Sequence, residues 1–495
     1  MNLFDRYFAV FQQHSSRTAF WIDGETYTYQ AFLQLVSGSR AVLEAQAGFC
    51  PQEPVAVICH NRIETYAAIF ATWFSGSPFV PLHPGNPPEW NREVLRRTGA
   101  KIVFSSRGSS GDFSPAIVID NSGQRSPNCE VPTPCSSGGY VYILTTSGST
   151  GQPKSVPVTL KNLTAFVEGF LHNYPELDAE DRFLQTYDLT ADAAFTGYLI
   201  QLLMGAAVYT TPDHPFRYLA VAKVLAGHPV TWVQVTPSLL ACLRPYFDTL
   251  RFPGIKHFHF GGESLPRSLA EAWRPSVPHA EISNVYGPTE TTVTSLLGKF
   301  LPGEPLKSFN GSVSIGKPLP AVQALIVDES GTVIGGPGEG ELLLGGDQVM
   351  EGYFHETPEN TFVTVQQQQF YRTGDWVWRD AEGFYYFQER LNDQVKINGY
   401  RVDLVQVEQV VAALCKVEKA VAAAPEITPG LRKLWVFVEG FSGTATDVLK
   451  QIRENYPAFM VPDRIIGVEA FPLSFSGKTD KKKLISDYLN RLSHE

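Results

Sequence analysis

Thr145-Thr146-Ser147-Gly148-Ser149-Thr150-Gly151, followed by Gln152-Pro153-Lys154, comes directly after the apolar stretch Tyr140–Leu144. The apolar stretch reads as a short buried strand. Small side chains let backbone approach a ligand closely, and glycine reaches conformations closed to other residues. Successive amides and hydroxyls in such a turn form a concave anion site, and Lys154 adds a positive charge. The simplest ligand is a polyphosphate. The spacing is not that of a Walker loop, which needs Gly, four residues, then Gly-Lys-Ser/Thr. Composition alone would make this a Ser/Gly surface loop. The ordered pattern directly behind a strand favours the ligand cradle.

Three carboxylates stand where such chemistry could use them. Asn284-Val285-Tyr286-Gly287-Pro288-Thr289-Glu290 places a turn signal ahead of a hydroxyl and a carboxylate. A carboxylate beside phosphates is repulsive unless a cation lies between, and magnesium binds through one or two carboxylates plus substrate phosphates. Glu290 is therefore a candidate Mg2+ ligand; the alternative is a solvated turn residue. Asp375, in Arg372-Thr373-Gly374-Asp375, reads as a carboxylate in a glycine turn. Its two acceptor oxygens suit a ribose diol, and an Asx-turn is the competing reading. Asp192 precedes the apolar run Phe195–Met204, which reads as a helix closed by Gly205. A lone Asp there would be an N-cap.

The elements that must position these groups alternate. Apolar runs at 54–58, 79–82, 101–104 and 116–119 read as strands, and Ile63–Phe74 reads as a helix. A hairpin, Phe20–Ile22 with Tyr27–Tyr29, turns at Asp23-Gly24. This alternation predicts an α/β multidomain chain with layered, mostly parallel sheets. Thr231–Pro237 and Lys256–Glu263 read as further strand-to-loop junctions, where ligands of open α/β sheets collect. Beyond Arg390 the pattern turns to compact α+β, with helices over Leu404–Cys415 and Ala445–Asn455. The predicted division is a large N-terminal unit, 1–391, and a small C-terminal one, 392–495.

Bulk properties narrow the function. At 495 residues the chain exceeds a single core. A net charge of −10 disfavours nucleic acid as a partner. No apolar run reaches the ~18 residues a membrane helix needs, and Met1–Arg6 lacks a signal-peptide pattern. The six cysteines are scattered with no metal spacing. Reduced thiols and a cytoplasmic location are the expectation.

The glycine-rich loop, the Tyr286–Glu290 motif, Tyr371–Asp375, Arg390–Asp403 and Pro472–Lys481 together resemble the adenylate-forming superfamily over nearly the whole chain. The similarity is to stand-alone amino-acid adenylation domains of the nonribosomal peptide synthetase and D-alanine–carrier-protein ligase type. The resemblance implies that ATP lies on Thr145–Gly151 and Lys154, with adenine against Gly262, Glu263 and Tyr286, and that Asn284, Val285 and Gly287 also belong to the nucleotide site. It gives the ribose to Asp375 and Arg390, the α-phosphate to Thr289, and magnesium to Glu290. Lys478 would enter the site to bridge substrate carboxylate and phosphate, with Thr289 and Glu290 as its catalytic partners. Asp192 would pair with the substrate ammonium, which needs a buried counter-charge. Ala193, Thr196, Gln234, His259, Gly261, Val285, Val293 and Thr294 would line the acyl pocket, whose small residues at 193, 196 and 261 leave room for a larger side chain. Asn392, where Asp is usual, would be the hinge of a swinging C-terminal unit. Gly399 would line the thiol tunnel. Ala191, Glu389, Ser155 and Ser476 depart from the family pattern, and Gly261 stands where D-alanine ligases carry Cys.

The chemistry so implied joins a carboxylate to the α-phosphorus of ATP and expels pyrophosphate. Two anions must meet, so catalysis is positioning and charge neutralisation. No general base is required, since a carboxylate is already ionised at pH 7. The chain ends shortly after Lys478, so the expected acceptor is the phosphopantetheine thiol of a separate carrier protein. The alternatives are an acyl- or aryl-CoA ligase, which Asp192 disfavours, and a non-catalytic adenylate-binding protein, which the intact motifs disfavour.

Overall fold

The computed structural model describes residues 1–106, 113–146, 154–212, 214, 216–355, 357–391, 393–441, 443–472 and 479–492. Two sheets form its frame. In the nine-stranded sheet, Arg182–Gln185, Ala207–Thr210, Trp232–Val235, His257–Gly261 and Glu281–Tyr286 run parallel, with antiparallel strands at both edges. The six-stranded sheet carries Val55–Ile58, Phe79–Leu82, Ile102–Ser105 and Tyr140–Thr146 in parallel, closed by Lys154–Thr159, which runs antiparallel. The expected layered α/β class with mostly parallel sheets is borne out.

Strands buried on both faces read as unbroken apolar runs, and Val55–Ile58 and Phe79–Leu82 are buried at every position. The helix Ile63–Phe74 is buried on nearly all sides, as a helix packed within the layers must be. Its aromatic residues meet those of Leu3–Gln13 and Tyr29–Glu44: Phe70 packs against Tyr7, Phe11 and Phe32. A five-stranded antiparallel sheet follows, built on Val322–Val327, Gly338–Gly346 and Gln368–Arg379. From Ile397 onward the chain gathers separate cores, one around Val402, Val407, Val436 and Ile452, another around Trp435, Phe437 and Phe471.

Two expectations are corrected. The run Phe195–Met204 is not one helix. Asp192–Gly197 is a 3₁₀ turn, Tyr198 breaks it at φ −143°, and a short α-helix covers Leu199–Leu203. Asp192 is thus the first residue of the turn, while Ala191 occupies the cap position. Thr373-Gly374-Asp375 is not a turn either. It continues the long strand Gln368–Arg379, with a register shift against Glu341–Leu343.

Candidate functional site

The carboxyl ends of four parallel strands open on one edge of the large sheet, and their following residues build the site. Arg182–Gln185 leads to Tyr187–Ala193, Trp232–Val235 to Thr236, His257–Gly261 to Gly262-Glu263, and Glu281–Tyr286 to Gly287–Thr289. Such an edge is where open α/β sheets hold ligands. The six-stranded sheet contributes Leu144 and Thr145, and the hairpin Gln394–Ile397/Tyr400–Asp403 closes the far side. Between them lies a cavity of about 370 Å³.

Most of the site residues expected from the sequence meet on this cavity: Thr145, Asp192, Ala193, Gln234, Gly262, Glu263, Val285, Tyr286, Gly287, Thr289, Val293, Thr294, Asp375 and Arg390. Six do not face it. Asn284 is buried behind, its Nδ2 donating to the carbonyls of Val313 and Ser314. His259 is fully enclosed by Trp232, Tyr174 and Phe170. Thr196 is buried and donates to Gln234 Oε1. A side chain at Gly261 would begin 2.5 Å from Val285 Cγ2, so the room a glycine promises there is filled by Val285. Lys154 lies half-buried against the Tyr353 ring. Glu290, the sixth, is shielded by Arg401. The positions Ser147, Gly148, Ser149, Thr150, Gly151, Asn392 and Lys478, and the side chain of Thr146, lie outside the described residues.

Electrostatics give the cavity a charged floor. Asp375 accepts from Tyr286 Oη at 2.5 Å, and its Oδ1 lies 2.9 Å from Arg390 Nε across the strand pair. Asp192 is half-buried, but its Oδ2 is fully screened and has no hydrogen-bond partner. Burial pushes this carboxyl up to about 6, although Thr289 and Lys396 pull the other way. Thr145 Oγ1 is a second screened and unpartnered atom on the same wall. Orphaned polar atoms at a cavity surface are what a polar ligand would satisfy.

Glu290 is 1% exposed. Burial raises its carboxyl, but Arg401, its own backbone N–H and Tyr353 more than offset this and hold it below the usual range. Arg401 Nη1 is 3.0 Å from Oε1 and 3.3 Å from Oε2, and Tyr353 Oη donates to Oε1 at 2.9 Å. The carboxylate's donor chemistry would fit a hard divalent cation, and here its partner is the Arg401 guanidinium.

The hairpin makes two further contacts with the large unit. Asn398 (φ +52°) and Gly399 (φ +82°) form a two-residue turn with positive φ at both positions, the hairpin geometry that suits strand twist. Gly399 N donates to Glu263 Oε1 at 2.9 Å, and Tyr400 Oη donates to Asp188 Oδ2 at 3.0 Å. The Glu263 carboxylate is also held by Ser238 N and Oγ. Against the turn runs a second cavity of about 360 Å³, lined by Tyr187, Phe216, Tyr218, Ser238, Cys242 and Gly399 among others. It shares Tyr187, Ala191, Gly399 and Tyr400 with the first. Phe216, on its wall, is 56% exposed.

Lys396 and Arg401, both in the Arg390–Asp403 motif, also line the cavity, and the basic side chains of that motif are the signal for them. Burial lowers the Lys396 ammonium while Asp375 and Asp192 raise it. His257, His259 and Glu281 bring possible ligand atoms within 4.8 Å of one another among the described residues. Lys299 Nζ already sits 3.2 Å from Glu281 Oε2, so this buried group has its cation.

The sequence matches the AMP-binding enzyme family over residues 7–354. The chain belongs to the AMP-binding enzymes. The resemblance to the adenylate-forming superfamily drawn from the motifs is thereby borne out. The chain is 29% identical over 494 residues to tyrocidine synthase 3 of Brevibacillus parabrevis, covering 96% of this chain and 7% of that protein. It is 26% identical over 475 residues to gramicidin S synthase 2 of Brevibacillus brevis, covering 93% and 10%. The chain thus spans a tenth or less of the length of these relatives. Among solved structures, the Vibrio cholerae adenylation domain AlmE in complex with glycyl-adenosine-5'-phosphate superposes with TM-score 0.85 at 24% identity, covering 98% of this chain and 97% of that one. An artificially fused adenylation–PCP di-domain from Klebsiella oxytoca, NpsA-ThdA, gives 0.82 at 25%, covering 94% and 93%. All six cysteines of this AMP-binding enzyme are unpaired, and no helix among the described residues is long and apolar enough to cross a membrane.

Proposed function

We propose that this AMP-binding enzyme activates an amino acid as its aminoacyl adenylate, with release of pyrophosphate, and passes it to the phosphopantetheine thiol of a separate carrier protein. The single observation that carries the amino-acid reading is Asp192. A screened, unpartnered carboxylate oxygen shares a cavity with the Tyr286–Asp375–Arg390 cluster. Thr289 and Lys396 offset the cost of this buried charge only in part, and a substrate ammonium would offset the rest. A fatty or aryl acid would leave that oxygen unpaired.

In this reading Asp375 and Arg390 hold the ribose and Tyr286 packs the adenine. Thr145 and Thr289 donate to phosphate, and Asp192 fixes the substrate so that its carboxylate lies against the α-phosphorus. Glu290 would hold the magnesium ion of the nucleotide, which supplies charge neutralisation for the departing pyrophosphate. That requires Arg401 to withdraw. Lys478 would enter from the C-terminal unit during this first half-reaction. The second half-reaction uses the pose seen here, with residues beyond 391 turning as a unit about Asn392. The cavity along Tyr187, Phe216, Ser238 and Gly399 then admits a thiol on a long arm from the surface. The adenylation–PCP chain from Klebsiella oxytoca, similar to this one in fold and sequence, supports a carrier as the acceptor.

Amino-acid-dependent ATP–pyrophosphate exchange, screened over amino, fatty and aryl acids, tests the reading. Exchange with one or a few amino acids is the expected result. Exchange driven only by acids without an amine would overturn it. Loading of a phosphopantetheinylated carrier, against free coenzyme A, then decides the acceptor.

A further inference from the structure

Two consecutive non-glycine residues, Thr292 (φ +58°) and Val293 (φ +66°), hold left-handed backbone. For a β-branched residue this is a rare and strained conformation. The kink is pressed against the cavity: a side chain at Gly287 would begin 2.3 Å from the Val293 carbonyl oxygen. Thr289, Val293 and Thr294 line the cavity on the two sides of the kink, while Glu290 is buried behind it. Strain of this kind persists only where the surroundings over-determine it.

Gln348 supplies that constraint. It is fully buried and lines neither cavity. Its Nε2 donates to three carbonyls of the kinked segment, Thr291 at 3.3 Å, Thr292 at 3.2 Å and Thr294 at 2.8 Å. In return, Thr292 Oγ1 donates to the Gln348 carbonyl at 2.6 Å. Met350 N donates to the Glu290 carbonyl at 2.9 Å, fixing the upstream end. The loop bearing Gln348 is itself tied down, because Asn162 Nδ2 donates to the carbonyls of Asp347 and Val349. Asn162 sits in the first turn of the helix that follows Lys154–Thr159. Three converging carbonyls demand a donor. A carboxylate would repel them and an aliphatic side chain would leave them unpaired.

We propose that Gln348 is the positioning residue of the acyl pocket: its single amide clamps the Thr291–Thr294 turn so that Val293 and Thr294 define which acid is accepted. The proposal rests on the acid-activating reading given above. It is tested so that the two can fail separately. Exchange is measured for the wild type over amino, fatty and aryl acids, and the preferred acid is then used for all variants. A winner without an amine sinks the amino-acid reading and still tests the clamp. Gln348→Met keeps the volume and removes the donor. It should raise KM for the acid about tenfold, change KM for ATP little, and flatten the preference among acids. Adding Thr292→Gly, which accepts positive φ without strain, should recover most of the loss. Unchanged KM and selectivity in folded Gln348→Met would overturn the proposal. So would an equal rise in both KM values with a lowered melting temperature and no recovery in the double variant, or failure of both variants to fold.

Discussion

Asp192 ties a residue's ionisation to substrate choice. Its carboxyl is raised to about 6 by burial, so the empty enzyme holds it partly protonated just below neutrality. Binding an ammonium needs the carboxylate, so KM for the amino acid should rise as pH falls through about 6, with KM for ATP changing less. The linkage to stability has the opposite sense. The folded state holds this proton more tightly than the unfolded chain, so its contribution favours folding at low pH and is lost as pH rises from about 4 to 6. Asp192→Asn should therefore raise the apparent melting temperature at pH 7 while lowering kcat/KM for the amino acid about 100- to 1,000-fold. A calorimetric melt and the exchange assay check the two halves. Unchanged amino-acid affinity would make Asp192 a mere part of the 3₁₀ turn. The types of these residues were legible in the sequence because each has a chemical reason to stand in its motif. The burial that tunes Asp192 was not, since it comes from the packing of distant strands. His259 and Gly261 show the same limit: one is walled off by Trp232 and the other is filled by Val285.

Elements were legible where their cause is local. The helices Ile63–Phe74, Leu404–Cys415 and Ala445–Asn455 stand as their periodicity predicts. Phe195–Met204 is not one helix because side chains compete with its ladder: Gln201 Nε2, within the run, donates to the Thr196 carbonyl, and Gln185 from the preceding strand packs against Gly197. Asp375 is not in a turn because the strand runs on through a bulge at Thr373–Asp375, where Gly374 has φ +66° and Asp375 pairs with Arg390 on one side only. On the proposed function, the second half-reaction would depend on the hairpin at Asn398-Gly399. Gly399 approaches Thr236 so closely that an added Cβ would lie 2.9 Å from Cγ2, and its φ is +82°. Gly399→Ala should thus push the turn out of its seat beside Glu263. Thioester formation from a supplied adenylate should fall about tenfold or more, with pyrophosphate exchange near wild type. Equal loss of both activities would place the turn's role in folding rather than in the channel.

At the scale of the molecule, the proposed function needs two poses, because Glu290 would not hold Arg401 and a magnesium ion together. No described residue beyond Phe459 lines either cavity. On the two sides of residues 473–478, Asp480 N donates to the Pro472 carbonyl and Lys419 Nζ donates to Thr479 Oγ1. On the proposed function, Lys478 acts at the nucleotide in the first half-reaction, and Arg401 is then displaced from Glu290. Opposite variants should therefore separate the steps. Lys478→Ala should cut pyrophosphate exchange by about 100-fold or more and spare thioester formation from a supplied adenylate. Arg401→Ala removes the cation from a carboxylate that is 1% exposed, and breaking such a buried pair costs about 3–5 kcal/mol. The penalty falls on the pose seen here and not on the one in which Glu290 would hold magnesium. Thioester formation should then fall while exchange is spared, and added magnesium should favour the other pose more strongly than in the wild type. Single-turnover measurements of each step on both variants would read this out. If both lose the same step, the two lysine- and arginine-bearing faces do not alternate and the single-site exclusion at Glu290 is wrong.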